Sequence, residues 1–354
     1  MIYSGILARY RSLLDIPAHT ATVTLYEGNT PLIPLPRLAE ELGGGFELIA
    51  KYEGMNPTGS FKDRGMTVAI GEALGRHAQA VICASTGNTA ASAAAYAARA
   101  GMPGIVLVPQ GNIASGKLAG ALAYGAKVIQ IAGSFDDALA LVVELVEKYP
   151  IALVNSLNPF RLEGQKTAAF EICDTLGSAP ELLCLPVGNA GNITSYWMGF
   201  RQYHALKQSG LPCILGVQAA GAAPLVLGHP IDQPQTIASA IRIGRPARGE
   251  QALQAAEESG GKIIAVSDAE ILAMQRYLAT EGVWVEPASA AGLAGFVAEV
   301  RAGKLNPRGK RVVVVCTGHG LKDPEIITRQ VQPMAILPAR LEALENFVLD
   351  GVGV

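Results

Sequence analysis

Short, unbroken runs of apolar and β-branched residues alternate with Ala-rich stretches of helix length along most of this chain. The runs are FELIAKYE (46–53), AVICAS (80–85), GIVLVP (104–109), KVIQIA (127–132), IALVN (151–155), LLCLPV (182–187), CILGVQA (213–219), KIIAVS (262–267) and RVVVVC (311–316). Helix-length segments at 89–101, 134–149, 161–177, 192–209 and 268–281 lie between them. A strand that is apolar on both faces must be covered on both, and helical crossovers deliver successive strands in parallel. The spacing therefore predicts an α/β fold of doubly wound, mainly parallel sheets. A length of 354 residues is enough for two domains. The Pro- and Gly-rich stretch 228–250 is expected to be a long irregular loop.

The charges set limits on partners. A net charge of −2 offers no field for a polyanion, so nucleic acid is not an expected partner and any anion must be held locally. Only 16% of residues are charged, which fits a surface partly covered in a subunit interface. Cys83, Cys173, Cys184, Cys213 and Cys316 are odd in number and widely spaced, and read as reduced thiols. The start, MIYSGILARYRSLLD, lacks the pattern of a signal peptide, and no apolar run is long enough to span a membrane. A cytoplasmic protein is expected. The five histidines show no metal-ligand spacing and there is no GxSxG elbow, so neither a metal site nor a serine triad is expected.

Ligands of open parallel sheets gather where strands run out into loops and helix N-termini favour anions. Four segments stand at such places: NPTGSFKDRG (56–65), STGNTAAS (85–92), VGNAGNIT (187–194) and CTGHGLKDP (316–324). In VGNAGNIT, Gly188 and Gly191 are expected to turn the backbone so that N–H groups from 188 to 192 cradle a phosphate; alone, it is equally an Asn-capped turn. Lys62 lies beside Phe61 at a helix start, where desolvation can leave an amine neutral enough to form an imine with an aldehyde. Ser85, Thr86, Asn88 and Thr89 are expected to cap an Ala-rich helix and, compatibly with that, to bind a carboxylate together with its N–H groups. GNIASGKL (111–118) matches a P-loop until Leu118, which stands where magnesium needs a hydroxyl, so ATP hydrolysis is not expected.

Five segments in order, KYEGMNPTGSFKDRG, STGNTAAS, NPFRLEGQKT, GNAGNIT and TGHGLKD, resemble the threonine synthase family, pyridoxal 5'-phosphate (PLP) enzymes of the tryptophan synthase β-like group, fold type II. The resemblance implies a smaller α/β domain over 58–155 inserted in a larger one formed by 1–57 and 156–354, with the active site in the cleft. It implies that Lys62 carries PLP as a Schiff base and shuttles protons, with Phe61 near the ring and Asn88 on the 3'-oxygen. The backbone of Gly188, Asn189, Ala190, Gly191 and Asn192 would hold the 5'-phosphate, and Thr317 would face the pyridine nitrogen. It also implies a homodimer and the last step of threonine biosynthesis.

The substrate of this family, O-phospho-L-homoserine, needs a second anion site for its leaving phosphate. Lys117, Asn155 and Arg161 are the donors to which the resemblance points, with Lys166 less certain and the role of His319 open. Ser85, Thr86, Asn88 and Thr89 would hold the substrate carboxylate. Threonine or serine dehydratase and O-acetylserine sulfhydrylase remain alternatives on this scaffold, as does a non-catalytic small-molecule-binding protein.

Overall fold

The computed structural model describes residues 3–110, 115–133, 135–328 and 336–352. Among them run ten strands: β1 Leu32–Pro34, β2 Glu47–Tyr52, β3 Ala80–Ala84, β4 Gly104–Pro109, β5 Lys127–Ile131, β6 Ile151–Leu153, β7 Leu182–Pro186, β8 Cys213–Ala219, β9 Lys262–Val266 and β10 Arg311–Cys316. They form a six-stranded sheet, ordered β1-β2-β10-β7-β8-β9, and a four-stranded sheet, ordered β5-β4-β3-β6. Every pairing is parallel except β1 with β2. The central strands β3 and β7 are buried along their whole length, as the unbroken apolar runs require.

Each sheet has one place where chain order reverses, between β3 and β6 in the smaller and between β7 and β10 in the larger. Loops leaving neighbouring strands diverge at such a switch point and open a crevice. STGNT follows β3, Asn155 follows β6, GNAGN follows β7 and CTGHG follows β10. The topology thus delivers the candidate segments to two crevices.

All nine expected strands are present. Strand β1 was not expected, because three residues ending in Pro34 carry no periodicity, and proline is admitted at an antiparallel edge. The helix expected over 161–177 is two helices, Pro159–Gln165 and Thr167–Leu176, parted at Lys166. The first crosses helix Lys62–Gly75 with backbone touching backbone. A Cβ on Gly164 would stand 1.8 Å from the Arg64 carbonyl oxygen, and one on Gly65 would stand 2.8 Å from that of Arg161. This close crossing sets Arg161 beside the start of the lysine helix. The stretch 228–250 is irregular except for a turn of 3-10 helix at Ser239–Ile241 and the start of helix Gly249–Glu258.

Beneath that crossing lies a fully paired charge network. Arg64 donates from Nε to Glu53 Oε2 at 2.6 Å and from Nη2 to Glu171 Oε2 at 2.6 Å, with further bonds to Thr30 and Thr167. Lys51 donates to Glu171 Oε2 at 2.9 Å and to the Thr30 carbonyl. All four charged groups are buried, two of each sign. Pairing holds the Glu53 and Glu171 carboxyls below their ordinary range although burial alone would raise them.

Residues 324–354 form a separate unit with helices Glu325–Thr328 and Leu341–Val352. Among the described residues, no helix is long and apolar enough to cross a membrane.

Candidate active site

Lys62 opens its helix directly after a loop laid on the turn that follows β10. The Phe61 N–H donates to the Thr317 carbonyl at 3.0 Å and the His319 N–H to the Gly59 carbonyl at 2.9 Å. Asp63 fixes the loop from the other side. Its buried carboxylate accepts from the Thr58 N–H at 2.7 Å, the Thr58 hydroxyl at 2.6 Å and the Ser92 hydroxyl at 2.6 Å, so it ties the loop to helix Asn88–Arg99. Lys62 itself is half-buried. Its Nζ stands 4.3 Å from the centre of the Phe61 ring and forms no ion pair with the described residues. Burial, and then the charge of Arg161, push its pKa down to about 7, against the pull of Glu286. An amine poised near neutrality is both a nucleophile and a base.

Glu286 was not read from the sequence. It is the residue before helix Pro287–Arg301, buried, and it accepts from Asn88 Nδ2 with both oxygens, at 2.9 and 3.1 Å. A Cβ on Gly318 would come within 2.4 Å of Glu286 Oε1, so a larger residue in this turn would displace the carboxyl. Burial pushes Glu286 up to about 7, against the bond from Asn88 and the charge of Lys322. Its partner lies 198 residues away, and no local spacing reveals such a contact. Thr317 is buried with its hydroxyl 3.0 Å from that of Ser289, which in turn accepts from the Gly318 N–H at 2.7 Å.

The GNAGN turn has the expected place but not the expected means of turning. Neither Gly188 nor Gly191 has a positive φ; the left-handed residue is Ala190, with φ 65°. Holding a residue with a Cβ there costs of order 1–3 kcal/mol. Gly188 is needed for closeness instead, since a Cβ on it would meet Ile241 Cα at 3.0 Å, whereas one on Gly191 would meet only ordinary contacts. Among the described residues, the N–H groups of 188–192 find no acceptor, and the buried Asn192 Nδ2 has no partner. Asn189 accepts from the Ala247 N–H at 3.2 Å.

At the start of helix Asn88–Arg99 no side chain caps the helix, contrary to the capping reading. Gly87 is the N-cap, and Ser85 Oγ accepts from its N–H at 3.2 Å. The Asn88 and Thr89 N–H groups find no acceptor among the described residues, and Ser85, Thr86 and Thr89 are half-buried beside them. The orphan donors of a helix start are a site for a carboxylate.

The second set of donors is only partly free. Arg161 is 2% exposed; among the described residues its Nε has no partner, and its one side-chain bond is a long 3.4 Å from Nη1 to the Val154 carbonyl. Burial lowers its pKa to about 10. Asn155 uses both ends of its amide on Ala84, accepting from its N–H and donating to its carbonyl at 2.9 Å each. Lys166 is not a free cation, because its Nζ lies 2.5 Å from Glu163 Oε2. Lys117 belongs to helix Ser115–Ala123, but its side chain and residues 111–114 lie outside the described residues. His319 accepts from the Leu321 N–H at Nδ1 and packs between the rings of Tyr52 and Trp284.

Among the described residues, a near-neutral lysine without a counter-ion, a cradle of unused N–H groups and a buried Asn192 Nδ2 without a partner fit the aldehyde and phosphate of pyridoxal 5'-phosphate. Fold and site together define a fold type II enzyme dependent on that cofactor. Residues 23–318 match the family model described as pyridoxal-phosphate dependent enzyme. A threonine synthase of Bacillus sp. (strain ULM1) is 57% identical over 326 residues, 92% of either chain. One from Halalkalibacterium halodurans is 53% identical over 99% of both. The solved O-acetyl serine sulfhydrylase isoform 3 of Entamoeba histolytica superposes with a TM-score of 0.74 over 98% of this chain and 96% of its own. At 20% identity that likeness speaks for the fold alone. The chain belongs to the pyridoxal-phosphate dependent enzymes and, within them, to the threonine synthases.

Proposed function

We propose that this chain converts O-phospho-L-homoserine and water to L-threonine and phosphate, the last step of threonine biosynthesis. The observation that carries this reading is the buried Arg161 guanidinium beside Lys62, which has an unpartnered Nε and no carboxylate partner among the described residues. Burying such a charge without a partner is costly, and an anionic substrate group offsets the cost. The substrates of dehydratases and sulfhydrylases on this scaffold carry no phosphate to fill it.

When bound, pyridoxal 5'-phosphate supplies an electron sink for charge that develops on the substrate carbons. Lys62 would hold its aldehyde carbon, the N–H groups of 188–192 with the Asn192 amide would hold its phosphate, Asn88 would bond its 3'-oxygen, and Thr317 would meet its ring nitrogen. Phe61 walls the site. The helix start at Ser85, Thr86, Asn88 and Thr89 binds the substrate carboxylate. Lys62 Nζ removes the α-proton and then a β-proton. Arg161, with Lys117 and the spare amide hydrogen of Asn155, stabilises charge on the departing phosphate oxygens. After phosphate leaves from Cγ, Lys62 returns one proton to Cγ, water adds its oxygen at Cβ with its second proton passing to the released phosphate, and a proton returned to Cα completes L-threonine.

The segment 58–155, which carries the four-stranded sheet, is the smaller domain in this reading and closes over substrate against the rest. The five free cysteines, four of them buried, support a reducing compartment such as the cytoplasm. The low charge content supports a homodimer. The test is to offer the purified holoenzyme O-phospho-L-homoserine, threonine and O-acetylserine in parallel. Stoichiometric phosphate and threonine are expected from the first; a keto acid from threonine with no phosphate release from the first would overturn the reading.

A further inference from the structure

The stretch 228–250, which the sequence marks only as an irregular loop, lines the site. The backbone at Ala240 and Ile241 presses on Gly188, and the Ala247 N–H donates to Asn189 in the phosphate cradle. The next residue, Arg248, reaches across to the turn after β6. Its Nε donates to the Ser156 carbonyl at 3.2 Å and its Nη2 to the Leu157 carbonyl at 3.3 Å. Arg161 bonds to the same turn at Val154.

Two guanidinium groups therefore share one short turn. Neither forms an ion pair with a carboxylate of the described residues, although the nearby Lys166 has one in Glu163. Arg161 is buried with Nε unpartnered, and Arg248 is half-buried. The two charges are close enough for Arg248 to lower the pKa of Arg161, so they repel one another as well as losing hydration. Carbonyl bonds to the turn hold the pair in place without neutralising it. A tetrahedral dianion would neutralise both and take up the donors that the turn leaves free.

We infer that Arg248 is a second guanidinium for the leaving phosphate and, with Arg161, makes the site selective for a phosphate monoester dianion. This rests on the proposed function, and it adds a residue from a loop that carried no expected role.

The probe is inorganic phosphate, titrated calorimetrically into the holoenzyme of the wild type, R248M and R248K. In R248M, phosphate binding is expected to weaken about 10- to 100-fold, the loss of one charge-assisted pair of bonds. The KM for O-phospho-L-homoserine should rise and kcat/KM should fall with it. Binding of L-threonine, which has no phosphate, and of the cofactor should stay within about twofold. R248K, which keeps the charge but not the fork, should lie between. Phosphate binding within about twofold of wild type in a cofactor-loaded R248K and R248M would overturn the inference, and if R248M does not load, R248K alone decides. Loss of cofactor affinity with phosphate binding intact would also overturn it, by assigning Arg248 to the cofactor's phosphate. A wild type that binds phosphate through Arg248 but makes no threonine would leave the anion site standing and sink the functional reading instead.

Discussion

Lys62 and Arg64 stand two residues apart at the start of one helix, and burial treats them in opposite ways. Arg64 is wholly enclosed with two carboxylates and two threonine hydroxyls on its guanidinium. Lys62, half-buried, has no counter-ion within reach of a salt bridge among the described residues, and its pKa falls to about 7. The paired cation joins the turn Glu53–Met55 after β2, the lysine helix and helix Thr167–Leu176 into one piece. The unpaired one is left reactive. Rigidity under the site and reactivity in it are thus divided between neighbours, and each can be removed separately.

The largest effect is expected from Lys62→Ala. Threonine formation and phosphate release should fall by more than about 1,000-fold, since both the cofactor's attachment and the base go with it. Borohydride should no longer fix the cofactor to the protein. Phosphate release at the wild-type rate would show that Lys62 is not the base. Folding should change little, because no ion pair is broken.

Arg64→Met should do the reverse. It leaves Glu53 and Glu171 buried with only Lys51 between them, and breaking a buried pair in this way costs about 3–5 kcal/mol. Denaturant unfolding of the cofactor-free protein measures it. The pH dependence sharpens the contrast. Glu53 and Glu171 have folded pKa values below their ordinary ones, so the stability they supply is present at neutral pH and is lost as the solution is made acid. Lys62 has a lowered pKa too, but as a base. The unfolded chain then binds the extra proton between about pH 7 and the ordinary lysine range, and stability of the cofactor-free protein rises with pH across that window.

Which of these features can be read from the sequence follows from how local each one is. Strands such as RVVVVC and the order of the Gly- and Thr-rich turns are local patterns, and they specify the sheets and the crevices. Lys62 is legible because its segment has a distinctive context. The left-handed residue at Ala190 is not, because glycines on either side are the better local candidates and only the packing of Ile241 on Gly188 decides. Lys166 and Asn155 read as free donors until the fold brings Glu163 and Ala84 against them. Arg64, Glu286 and Arg248 take their meaning from partners 107, 198 and about 90 residues away. No period in the chain encodes such contacts.

Glu286→Gln tests the unpaired side of the comparison most finely. Lys62 faces Arg161 and Glu286, and Glu286 faces Asn88, Lys322, Asp323 and Lys62. An ionised Glu286 favours the charged lysine, so removing its charge should move the Lys62 midpoint below about 7. The pH dependence of Lys62 acylation in the cofactor-free protein measures this without any turnover. The glutamine keeps the shape and can still accept from Asn88, so kcat/KM should fall only about tenfold, the worth of one charged hydrogen bond exchanged for a neutral one. An unmoved midpoint with the same tenfold loss would mean that Glu286 is protonated while the enzyme works and acts by orienting the Asn88 amide alone. A lowered midpoint makes it an electrostatic regulator of the lysine, and the division between Lys62 and Arg64 then extends to their carboxylates: two spent on structure, one kept for the site.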